Sequence, residues 1–120
     1  MSDSEKQAAV AAPPAPKSEP RKRPANTKPK PQKPWAVIVD NDDFHTHEYV
    51  VELLQKVCNH DFPAAFKLTK QIDTEGEAVV WSGVLEVAEL KRDQIRGFGT
   101  DFYASKPVKF PLGVRIEQMP

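Results

Sequence analysis

Asn41, Asp42 and Asp43 put one carboxamide and two carboxylates in consecutive positions one residue after the apolar run Val37-Ile38-Val39. Short acceptors of this kind bond nearby backbone amides and so build turns and helix N-caps. At a strand-to-helix corner they complement the positive end of the helix dipole, and any left uncapped can hold a small cationic group. His45, His47 and His60 lie nearby in the chain. With Asp42 and Asp43 they are ligand types that zinc accepts, but side chains at i and i+2 of a helix turn to different faces. No second ligand pair has motif spacing, so neither a metal nor a cofactor is expected. Catalytic chemistry finds no better footing. Cys58 is the only cysteine and sits among residues of a core helix, where a thiol is inert. No glycine-rich phosphate loop or nucleophile motif is present. The residues fit a non-covalent recognition site, and the chain is not read as an enzyme.

The elements that must position this cluster follow from spacing. Val37, Ile38 and Val39 are β-branched and suit a buried strand. From His45 onward, Tyr49, Val50, Leu53, Leu54 and Val57 recur at intervals of three and four, the stripe of an amphipathic helix. Asn59-His60-Asp61-Phe62-Pro63 reads as a break followed by a second helix with proline in its first turn. Its expected buried stripe is Ala65, Phe66, Leu68, Thr69 and Ile72, and Gly76 closes it in a left-handed turn. Ala78-Val79-Val80-Trp81 is a second strand. Leu85, Val87, Ala88, Leu90 and Ile95 form the apolar side of a charged third helix ending at Gly97. Residues 100–107 read as an exposed loop and 110–117 as a last strand. The order β-α-α-β-α-β implies an α+β domain, a small three-stranded antiparallel sheet with three helices on one face.

Of 120 residues, residues 1–34 hold eight of the twelve prolines and no aromatic residue. They carry eight Lys or Arg against three Asp or Glu, whereas residues 35–120 carry nine against fourteen. The zero net charge therefore hides a basic extension on an acidic domain. Such a proline-rich segment buries too little apolar surface to offset its ordering entropy, so residues 1–34 are expected to be disordered and the domain to occupy 35–120. The first residues lack the order of a secretory signal, no window approaches a membrane span, and one cysteine suits a reducing compartment. A cytoplasmic protein with no membrane partner is expected.

The chain resembles the ClpS family, adaptors that deliver N-degron substrates to the Clp AAA+ protease. The likeness runs from residue 34 to about 118 on the Asn41-Asp42-Asp43 corner, Leu54-Gln55-Lys56, Gly76, Glu86-Val87-Ala88-Glu89 with Lys91, and Pro111-Leu112. It implies a site for the free α-amino group of a bulky hydrophobic first residue. A protonated amine presents three donors and needs inward acceptors with negative potential. Asn41 matches the family's amide acceptor, and Asp42 and Asp43 its carboxylates. Asp73 stands where the family usually has a histidine. The adjoining side-chain pocket would be lined by His45, His47, Val50, Thr69, Ile72 and Leu112, of which His47 and Thr69 replace methionines and His45 a threonine. Imidazole adapts to varied shapes less well than a thioether, which implies narrower or shifted specificity toward Tyr, Trp, Arg or Lys. Glu86, Glu89 and Lys91 correspond to the surface that meets the N-terminal domain of the unfoldase, ClpA or ClpC. A monomer is expected. Residues 97–110 form an insert longer than the family needs.

Two other readings accompany this one. A diverged paralogue could recognise another terminus or inhibit delivery. A module binding nucleic acid through the basic extension has less support, since no aromatic residues interleave the charges.

Overall fold

The computed structural model describes residues 32–120, which form one unit, Gln32–Pro120. The expectation for the basic extension falls on residues outside those described, apart from 32–34. Strand β1 (Trp35–Asp40) leads through the polar corner into helix α1 (His47–Cys58). Helix α2 (Phe62–Glu75), strand β2 (Glu77–Gly83), helix α3 (Leu85–Arg96) and strand β3 (Val114–Gln118) follow. The expected α+β order and three-stranded antiparallel sheet are present. The sheet runs β2-β1-β3, so the Val-Ile-Val strand is central and pairs antiparallel on both sides.

Central placement explains the composition of β1. Val37 and Val39 face the helices in one cluster with Leu53, Leu54, Val80 and Ile95. Ala36 and Ile38 lie outside that cluster yet are buried; Ile38 is flanked by its register partners Val79 and Arg115. A register shift opposite Val37 and Ile38 leaves Val80 as an extra residue of β2. The side chain of Val80 enters the core, and its carbonyl accepts from His60 Nε2 at 2.6 Å. A bulge bends the strand and re-aims its groups, here toward the turn joining α1 to α2.

Both ends of α2 obey local rules. Asp61 caps the start by accepting from Ala64 N at 3.0 Å, and Gly76 closes the end at φ 87° with its amide donating to the Ile72 carbonyl. Asn59 closes α1 in the left-handed region at φ 61°. Among the described residues no helix is long and apolar enough to cross a membrane.

Four expectations need correction. α1 begins at His47 with Thr46 as its N-cap, so the Asn41-Asp42-Asp43 cluster makes a turn ahead of the helix rather than its cap. Phe66 is 45% exposed and not part of the α2 stripe, and Leu90 is exposed on α3; the stripes are narrower because the small sheet covers only a strip of each helix. β3 starts at Val114 rather than 110, because Pro111 has no amide hydrogen for a ladder and the Phe110 carbonyl is held by His45. Finally, the exposed loop expected over 100–107 is present in most of its residues but not at its start. Asp101 is fully buried and pairs with Val108 through two backbone hydrogen bonds of 2.9 and 3.0 Å.

Candidate functional site

The corner after β1 is held from three directions. Asp42 Oδ1 accepts from the amides of Phe44 and His45 at 2.8 and 2.7 Å, making an Asx turn, while Oδ2 accepts from His45 Nδ1 at 2.6 Å. Burial alone would raise the pKa of Asp42, but the His45 amide, the His45 ring and the Phe44 amide outweigh it and hold the carboxyl below its usual value of 3.8. The Asn41 amide donates to the Gly76 carbonyl at 2.9 Å, tying the corner to the end of α2. The Asp40 amide donates to the Gly113 carbonyl, tying it to the approach of β3.

His45 is the hinge of the arrangement. Its side chain is 1% exposed, with Nδ1 on Asp42 and Nε2 3.0 Å from the Phe110 carbonyl. Both partners are oxygens on opposite sides of the ring, and together they fix its orientation. Its ring packs between Tyr49 and Phe110 with centroids 5.1 Å away on either side.

Between this corner, α1 and α2 lies a pocket of about 250 Å³. Asn41, Asp42 and Asp40 form its polar side, while Val50, Thr69, Ile72 and Leu112 form its apolar side. His45 and His47 complete the lining. The space is narrow: only about 10 Å³ is open to the centre of a water molecule, roughly one such sphere. Thr69 is buried with its hydroxyl donating to the Ala65 carbonyl at 2.8 Å, so it offers lone pairs but no proton. His47 is half-exposed, with Nε2 3.7 Å from Asp73 Oδ1.

The structure thus brings Asn41, Asp42, His45, His47, Val50, Thr69, Ile72 and Leu112 around one cavity. Asp43 is exposed and Asp73 half-exposed; neither lines the cavity, although Asp73 stands at its edge through His47. Glu86, Glu89 and Lys91 lie apart on α3. Lys91 Nζ donates to the Val57 carbonyl at 2.6 Å, holding α3 against the end of α1, while Glu86 is exposed.

Two members of the site were missed in the sequence. Asp40 lines the cavity, and its carboxylate is paired with Arg115, whose guanidinium also reaches Glu77 and Glu117 at 2.8 and 2.7 Å. These three carboxylates push the Arg115 guanidinium above its ordinary value, the Glu117 hydrogen bond contributing most. The second is Asp101. Its Oδ2 accepts from the Thr46 amide at 2.7 Å and the Thr46 hydroxyl at 3.1 Å, and its Oδ1 accepts from Tyr103 N at 2.9 Å. Asp101 therefore fixes the residue between the two pocket histidines. Asp40 was legible as one more carboxylate of the corner, whereas nothing local marked Asp101, 55 residues from its partner.

The arrangement offers oriented acceptors on one wall and apolar groups on the other, which suits a small molecule or chain end with a cationic head and a side chain. Comparison with known proteins agrees with this architecture. Residues 30–111 match the family model described as ATP-dependent Clp protease adaptor protein ClpS. The chain is 39% identical over 74 residues to an ATP-dependent Clp protease adapter protein ClpS of Thermosynechococcus vestitus, covering 61% of this chain and 79% of that one. It is 44% identical over 66 residues to that of a Nostoc species, covering 54% and 68%. Among solved structures, Agrobacterium tumefaciens ClpS2 bound to L-phenylalaninamide superposes with a TM-score of 0.62 at 25% identity, over 74% of this chain and 100% of that one. The family match spans the corner, α3 and all of the pocket lining but Leu112, and the chain belongs to the ClpS family of adaptor proteins of the ATP-dependent Clp protease.

Proposed function

We propose that this adaptor binds the free N-terminal residue of N-degron substrates in the cavity at the β1–α1 corner and delivers them to a Clp unfoldase. The observation that carries the reading is the two-sided pocket: acceptors from Asn41 and Asp42 on one wall, apolar groups from Val50, Ile72 and Leu112 on the other. An α-ammonium has three donors and a full charge. The Asn41 carbonyl and the outer lone pair of Asp42 Oδ2 supply acceptors, and Asp43, which makes no ion pair among the described residues, and the half-exposed Asp73 add negative potential around the mouth. Acetylation of the terminus removes both the charge and donors, so an internal or blocked residue gains nothing from this wall.

The relative bound to L-phenylalaninamide supports a bulky first residue, but the cavity here is narrow. His47, half-exposed on the first turn of α1, is the group free to swing aside and admit one. Its imidazole and the Thr69 oxygen make the pocket more polar than an all-aliphatic one, favouring Tyr or Trp over Leu. Delivery is assigned to the N-terminal domain of a ClpA- or ClpC-type unfoldase meeting α3 at Glu86 and Glu89. Lys91 supports that surface through the Val57 carbonyl. The adaptor acts as a monomer in the cytoplasm.

Isothermal titration with matched peptides tests the reading. A free-amine peptide beginning with Tyr, Trp or Phe binds at least about a hundredfold tighter than its acetylated form, as expected when charge-assisted bonds are removed, and Asn41→Ala abolishes most of that difference. Equal affinity for free and acetylated peptides overturns it.

A further inference from the structure

A second concavity, wider than the pocket, lies alongside it. His47, Val51 and Gln55 follow one another at four-residue spacing on α1 and form its floor, with Glu48 and Glu52 along the rim. Phe62 and Phe66 of α2 make one wall; they are 57% and 45% exposed and stack with centroids 5.9 Å apart. Tyr103 from the 97–110 insert makes the other wall, its hydroxyl donating to Glu52 Oε1 at 2.6 Å. The groove encloses about 980 Å³ against about 250 Å³ for the pocket, both counting space open to solvent. Three aromatic side chains left exposed around one concavity mark an interaction surface.

His47 lines the groove and the pocket alike. A chain whose first residue sits in the pocket and that leaves over His47 therefore enters the groove directly. From His47 to Gln55 the helix rises about 12 Å, the length of roughly three to four extended residues. The charge at the rim is acidic: Glu52 is engaged with Lys56 and Tyr103, and Glu48 makes no ion pair among the described residues.

Resting on the first-residue reading above, we propose that this groove is a second subsite, which takes apolar side chains at the second to fourth residues of the bound polypeptide and disfavours acidic ones. The insert then has a role: Asp101 anchors it to Thr46 and presents Tyr103 as the far wall. A single amino-acid amide reaches only the pocket, while a longer peptide reaches both, so the two readings separate experimentally.

Calorimetry on the full chain would first use amides of the twenty amino acids, then tetrapeptide amides sharing the best first residue and carrying Leu-Leu, Gly-Gly or Glu-Glu next. The Leu-Leu peptide is expected to bind about tenfold tighter than Gly-Gly, as partial burial of two apolar side chains provides, with Glu-Glu weakest. In a Phe66→Ser/Tyr103→Ser double variant, which alters exposed positions only, the Leu-Leu advantage falls to less than about twofold while the amide binds unchanged. Tetrapeptide affinities independent of the second and third residues, or an advantage undiminished in the variant, overturn the groove while leaving the pocket standing. Failure of every amide and peptide to bind overturns both. Sedimentation that shows a dimer dispersed by the double variant, without any peptide dependence, assigns the groove to a second copy of this chain and overturns the proposal.

Discussion

The helices α1 and α2 start in opposite ways. At α2 the cap is local: Asp61 accepts from Ala64 N, Pro63 occupies the first turn, and no distant residue is needed. At α1 the cap residue Thr46 accepts from Tyr49 N at 3.1 Å, but its own amide and hydroxyl donate to Asp101, a fully buried carboxylate from the insert. The first kind of start can form as soon as the helix does. The second forms only when residues 55 apart have come together, and it is the second that carries the pocket. A recognition site whose wall is fixed by tertiary contacts is pre-organised by the whole fold, so ordering it on binding costs little.

The sharpest way to break the contrast is to remove the two acceptors separately. Asp101→Ala leaves the Thr46 amide, the Thr46 hydroxyl and the Tyr103 amide without their partner in a buried place. The loss is about 3 kcal/mol, since unsatisfied buried groups cost roughly 1–3 kcal/mol each and some of these regain water. Urea unfolding measures it. The same variant should also weaken binding of a free-amine peptide, because His45 and His47 flank the released residue. A loss under about 1 kcal/mol would show that the insert merely leans on the helix start.

Asp61→Ala is the control at the local start. It removes a single N-cap bond at an exposed position, a change of about 1 kcal/mol, and should leave peptide affinity as it was. If Asp61→Ala disturbed binding as strongly as Asp101→Ala, the separation between a structural and a site-bearing helix start would fail.

The same contrast explains what could be read in the chain. β1, α2 with its Gly76 stop, and the boundaries of α3 were legible, because β-branched runs, caps and left-handed glycine are encoded within a few residues. Asn41 and Asp42 stood out because short acceptors after an apolar strand make a turn wherever they occur. The true start of α1, the burial of Asp101 and the late start of β3 were not legible. Each depends on a contact across the fold: Thr46 with Asp101, Asp101 with Val108, His45 with the Phe110 carbonyl. Phe66 was misjudged for the converse reason. Its spacing on α2 fits a core stripe, but the sheet is too small to cover that side, and the ring remains at the surface. The segment that defeated local reading most completely is 97–110, and it also supplies the Tyr103 wall of the groove.

The smallest effect sharpens the comparison within the corner itself, where Asp42 is the local element and its bond to the His45 ring the electrostatic one. Asp42→Asn keeps an oxygen for the Phe44 and His45 amides and so preserves the turn, but places a donor opposite Nδ1 and removes the charge. The Asp42 carboxyl is depressed below 3.8 in the folded chain. A depressed carboxyl contributes stability that is fully present above the unfolded value and is lost as pH falls through the folded one. Wild type should accordingly exceed Asp42→Asn by a constant margin from neutral pH down to about 5, and the margin should close as pH drops below 3.8 toward the lowered value. Because the group is partly solvated, the margin is well below that of Asp101→Ala. Denaturation midpoints for both proteins at a series of pH values from 7 to about 2.5 would show it. No margin at any pH would mean that Asp42 acts through turn geometry alone, leaving the His45 ring to be held by the Phe110 carbonyl and its aromatic neighbours.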